Sequence, residues 1–168
     1  MPETDGVGIL LAMASMAIAI LGFSAIVSVF HPIVGEGRQV WPTDGRFWSM
    51  VSCGLATLVM ALAPLPLLAA GVAEHRVWFL AGASQGVAGI LLIIFSCHFY
   101  PMNEQSGRPA SRFLFFMLLL LLTLVSILGF TNLGFLGPSV FWPVLSGITI
   151  LLLTTAWLFV RLMYVWLQ

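Results

Sequence analysis

Residues Phe113–Phe130 read FLFFMLLLLLTLVSILGF, eighteen consecutive positions without a charged side chain. An α-helix needs about twenty apolar residues to cross a bilayer core of about 30 Å. In hydrocarbon no water satisfies the backbone, so a lone apolar run of this length is read as a spanning helix. Its flanks agree: Ser111 is placed to cap the helix N-terminus, and Thr131-Asn132 ends the apolar run.

Working outward from this stretch, four more runs of the same kind appear, over about residues 7–30, 47–72, 77–100 and 140–166, beside 113–130 itself. The predicted fold is all-α: a polytopic transmembrane helix bundle of five spans, with residues 1–168 forming one domain. His31-Pro32 is expected to end the first span, because proline cannot donate to the preceding turn. Asp44 caps the second, and Gly71 with Glu74-His75-Arg76 makes a tight polar turn before the third. Gly134, Gly137 and Pro138 mark a turn before the fifth, with Ser139 as its cap. A four-span arrangement, with that last junction buried or re-entrant, is the alternative.

Composition points the same way. The 168 residues are 61% hydrophobic and 7% charged, with a mean hydropathy of +1.10, whereas a soluble domain carries about 25% charged residues. Lipid bilayer is therefore the expected partner of most of the surface. Formal net charge is zero and all six basic residues are arginines, which are dispersed. Nucleic acid and polybasic lipid recognition are not expected. The two cysteines, Cys53 and Cys97, lie inside apolar runs and suggest no disulfide framework.

The arginines also orient the chain. With five spans, Arg38, Arg46, Arg108, Arg112 and Arg161 share one side, and Arg76 alone falls on the other. Positive charge is retained in the cytoplasm, so the expected location is a cell membrane, with the N-terminus outside and the C-terminus cytoplasmic. The acidic start (Glu3, Asp5) suits translocation and lacks the basic region of a cleaved signal peptide. Trp41, Trp48, Trp78, Trp142 and Trp166 fall near span ends, where amphipathic rings prefer to lie; Trp157 lies deeper. Residues 42–47 (PTDGRF) and 109–113 (PASRF) echo one another at two span starts, as a faint internal repeat or as a shared way of starting a helix.

No carboxylate is expected deep in the bilayer, and Arg161 lies close enough to the last span's end to reach the headgroups. A membrane proton relay or a voltage sensor is thus disfavoured. The densest polar segment is residues 82–89, GASQGVAG, in the third span. Gly82, Gly86 and Gly89 are candidate helix-packing positions, since small residues let a neighbouring backbone approach. Gln85 falls near mid-span; it either bonds another helix or faces a cavity or pore. Ser84, Gln85, Thr131 and Asn132 are the pore- or solute-lining candidates. Pro64 and Pro66 leave the carbonyls of Met60 and Leu62 without helical donors, a candidate hinge or static kink.

His31 and His98, at the same membrane boundary, could ligate a haem, and Cys97 or Cys53 could join a soft-metal site. The spacing of metal motifs is missing, so neither a metal nor a cofactor is expected. Nucleophile–base pairs, HExxH and phosphate-binding glycine loops are likewise missing, and the chain is not expected to be an enzyme. It lacks the Trp- and Asn-dense motifs of the tryptophan-rich sensory or translocator family. Gly22-Phe23-Ser24-Ala25-Ile26-Val27, with Trp41 and Asp44–Phe47, resembles small uncharacterised bacterial multi-pass membrane proteins, a resemblance that implies no activity. The expected function is that of a channel or a solute-binding and transport protein, self-associated. The alternative is an accessory or assembly subunit contributing helices to other membrane subunits, with a haem or metal carrier third.

Overall fold

An apolar sequence offers the backbone few partners but itself, and the described residues are helical almost throughout. A computed structural model describes residues 3–34, 45–105, 112–132 and 141–166. The helices are α1 (Glu3–Val34), α2 (Gly45–Leu62), α3 (Pro64–Ala69), α4 (Glu74–Gln105), α5 (Arg112–Thr131) and α6 (Phe141–Trp166); no strand occurs among the described residues. α1, the α2–α3 unit, α4 and α6 are long and apolar enough to cross a membrane, whereas the apolar part of α5, Phe115–Thr131, is shorter.

Several boundaries differ from the sequence expectation. α1 runs through His31-Pro32 to Val34, and α4 passes Tyr100 and Pro101 to Gln105. A proline removes only its own bond to the carbonyl four residues back, Ser28 or Cys97 here. Near a helix end, little of the ladder depends on that bond. As a result Glu104 lies within the last turn of α4, and at the other end of the chain Glu3 and Asp5 belong to the start of α1. The polar trio Glu74-His75-Arg76 likewise forms the first turn of α4, and the reversal itself occupies the residues before it. The expected caps Asp44, Ser111 and Ser139, and the turn residues Gly134, Gly137 and Pro138, lie outside the described residues.

The α2–α3 break follows from Pro64 and Pro66, which cannot donate to Met60 and Leu62. Ala63 still donates to the Val59 carbonyl at 2.8 Å and keeps helical dihedrals (φ −56°, ψ −37°). The chain therefore kinks at Ala63 and does not turn. α3 then ends in a Schellman arrangement: Val72 N donates to Leu67 O (3.1 Å) and Gly71 N to Leu68 O (3.0 Å). That closure requires the left-handed conformation that Gly71 adopts at φ +73°.

α6 touches α1, α2, α4 and α5, and α2 touches α1, α4 and α6. The most extensive pairing is α4 on α5, while α1 lies along the outside of α2 and α6. Two apolar clusters fill the bundle. One, towards the α3–α4 turn, contains Leu10, Met60, Trp78, Val144 and Ile148. The other contains Met50, Cys53, Leu122, Val125 and Leu151. Outward, large apolar side chains such as Met16, Phe23, Leu91, Phe116, Leu153 and Val160 stay exposed, an exterior compatible with a membrane location.

Candidate functional site

The α4–α5 seam is built from residues without bulk. A Cβ on Gly82 would meet the Gly129 carbonyl at 2.9 Å and crowd Asn132, one on Gly86 would meet the Phe130 ring at 2.8 Å, and one on Gly89 would overlap the Ser126 hydroxyl. From the other side, a Cβ on Gly129 would collide with Gly86 N and lie 2.7 Å from Gly82 O. The helices thus approach to backbone contact, as small residues at spacings of three and four permit.

Gln85 projects from the same helix into the interior, where it is fully buried (0% exposed). Its Nε2 donates to the Val125 carbonyl of α5 at 3.3 Å. Its Oε1 is buried without a hydrogen-bond partner, the one such side-chain atom among the described residues. The amide lies where a side chain of Gly147 on α6 would otherwise be: a Cβ there would collide with Nε2 and lie 2.5 Å from Cδ. Gln85 therefore sits wedged between three helices, inside the bundle and off its surface.

The other candidates do not gather around it. Asn132, 2% exposed, donates from Nδ2 to the Trp78 carbonyl at 3.3 Å, nearer the α3–α4 turn. The Thr131 hydroxyl donates to Leu128 O (2.7 Å) and the Ser84 hydroxyl to Ala81 O (2.9 Å). Both hydroxyls thus bond their own helices, and that of Ser84 also lies 3.7 Å from Met60 Sδ on α2. Pro64 is buried at the kink and Pro66 is exposed. Cys53 is buried, Cys97 and His98 are exposed, and the His31 side chain lies outside the described residues. Among the described residues no group of three or more His, Cys, Asp or Glu is placed to hold a metal ion.

A second place combines polar groups with open space. At the α3–α4 turn a groove of about 1240 Å³ opens between the start of α1, α3, the start of α4 and the start of α6. Ile9, Leu65 and Leu68 supply apolar wall, and Trp78, Phe141 and Trp142 supply rings. Trp78 Nε1 donates to Glu74 Oε1 at 3.1 Å, an i, i+4 pair on the first turns of α4. The Trp78 ring packs edge-on to Phe141, centroids 4.9 Å apart. Gly6 of α1 faces the Phe141 ring, which a Cβ there would meet in ordinary van der Waals contact at 3.8 Å.

Sequence reasoning did not single out Gly129, Gly147 or the Glu74–Trp78 pair. A signal existed for the glycines, because glycine in a helix interior is unfavourable and often marks a close approach. The Glu74–Trp78 spacing was visible, but its place in a groove depends on α1, α3 and α6. Comparison of the chain with protein-family models, with curated proteins and with solved structures finds no match in any of the three.

Proposed function

We propose that the chain is a five-span membrane protein that binds a small solute and takes part in its passage, and that the groove at the α3–α4 turn is where the solute is received. The supporting observation is the contrast between the two polar places: Gln85 is sealed among α4, α5 and α6, whereas Glu74 and the aromatic residues border open volume. α5 serves as the fifth span although its apolar part is short, since its 20 residues reach about 30 Å at 1.5 Å each. In this reading the arginine asymmetry sets the N-terminus outside, so the groove opens on the external side.

Purified protein in liposomes is the test. Uptake or conductance is measured for monovalent ions and for uncharged and amphipathic solutes, against protein-free liposomes. Activity that changes with Trp142→Ala but not with Gln85→Leu supports the groove. Activity that follows Gln85 instead moves the path into the bundle interior. No flux and no binding across the panel leaves the second reading.

That second reading, an accessory subunit or self-associating element, is supported by α1. Gly8, Ala12, Ser15, Ala19 and Gly22 recur at steps of four and three and are all exposed, and a Cβ on Gly8 or Gly22 would meet nothing within 4 Å. Such a face suits close approach of another helix. Native mass measurement in mild detergent tests it: a monomer, unchanged by Ala12→Phe or Ala19→Phe, excludes self-association through α1.

A further inference from the structure

We propose that the groove at the α3–α4 turn binds a single-chain amphiphile with a cationic head, the alkyl chain against α3 and the head over Glu74. This inference rests on the solute-binding reading and names the solute class. The groove and such a ligand are complementary in polarity and charge. Among the described residues, Glu74 is the one formally charged side chain lining the groove, and the other lining residues are apolar, aromatic or glycine. A tail can therefore be desolvated along Leu65 and Leu68 while the head meets a single negative charge.

The carboxylate is held in place for that purpose. Glu74 Oε1 accepts the Trp78 indole N–H, and Trp78, only 6% exposed, is locked against Phe141. Among the described residues that line the groove, none carries a positive charge to offset that of Glu74. Arg76, two positions on, projects about 200° away around the helix and does not line the groove. Trp142, 54% exposed, offers a ring surface on the other side, and an ammonium or quaternary ammonium group near such a ring is attracted to its face. An anionic head of the same length would meet repulsion from Glu74, and an uncharged head would gain nothing from it.

The test uses the purified full chain in a nonionic detergent and three photoreactive probes that share one tetradecyl chain. Their heads are trimethylammonium, maltoside and sulfate. The trimethylammonium probe should crosslink preferentially to peptides containing α3 and Phe141-Trp142, and unlabelled tetradecyltrimethylammonium should compete. Glu74→Gln keeps an acceptor for Trp78, so the wall persists. It should weaken labelling by the cationic probe about two- to five-fold, the range of an exposed charge pair, and leave the maltoside probe unaffected. Arg76→Gln should not weaken it. Equal labelling of the groove by all three heads, or a cationic probe indifferent to Glu74→Gln, overturns the cationic class while leaving a solute-binding groove standing. Labelling no stronger than that of the outer face of α1, whatever the head, overturns the inference and the solute-binding reading together.

Discussion

Gly147→Ala is the substitution whose consequence can be worked furthest from the structure. On an isolated helix it stabilises by about 1 kcal/mol, since alanine is the better helix former. In the bundle, the added Cβ collides with Gln85 Nε2 and lies 2.5 Å from Cδ and 2.9 Å from Oε1. The amide must move, and with it goes the bond to Val125 O. Overpacking a filled interior costs about 1–3 kcal/mol, and leaving the Nε2 donor buried and unpaired costs about 1–3 kcal/mol more. Oε1 adds nothing, having no partner to lose. The midpoints sum to about 4 kcal/mol, less about 1 for propensity, so the variant should lose about 3 kcal/mol. Gln85→Ala removes the obstacle, and Gly147→Ala added to it should cost little or even stabilise. A double-mutant cycle by equilibrium unfolding in mixed micelles should give a coupling of about 3 kcal/mol between the two sites, the difference between the two backgrounds and the upper end of what touching residues show. Were the two changes additive within about 0.5 kcal/mol, or Gly147→Ala as stable as the parent, the wedge between α4 and α6 would not exist as described.

Three further outcomes follow from the same geometry. Gly129→Ala should destabilise more than Gly86→Ala, by about 1 kcal/mol or more in the same assay: its Cβ meets backbone of α4, whereas that of Gly86 meets a Phe130 ring able to rotate; the reverse order would show that α5 slides freely along α4. Gly71→Ala should cost about 1–2 kcal/mol through left-handed strain alone, because φ is +73° and nothing lies within 4 Å of the added atom; an unchanged thermal midpoint would mean that the α3–α4 turn relaxes at no cost. Reporter fusions in the segments containing Arg38 and Arg108 should read as cytoplasmic and a fusion at Glu74 as external, and termini found on one side would exclude an odd number of spans.

The chain's helical character and the approximate place of every long helix were written in local sequence. Hydropathy over a span-length window is a sum over neighbours, so Phe113–Phe130 declares itself without reference to the rest of the molecule. The α2–α3 kink was legible in the same way, because the missing N–H groups of Pro64 and Pro66 act on carbonyls four residues back. Helix ends were less legible: α1 and α4 continue through Pro32 and Pro101, since a proline's effect depends on how many bonds remain beyond it. Gly82, Gly86 and Gly89 could be marked as small residues on one helix, but their neighbours on α5 could not be assigned. Only tertiary structure decided that Gln85 would lie under Gly147, that Gly129 would meet Gly86, and that Glu74 and Trp78 would border a groove with Trp142. Each of these depends on which faces of distant helices meet. In a sequence apolar on nearly all sides, periodicity carries little information about which face turns inward. Close approach of backbones and the few polar groups settle that choice, and both act between segments far apart in the chain.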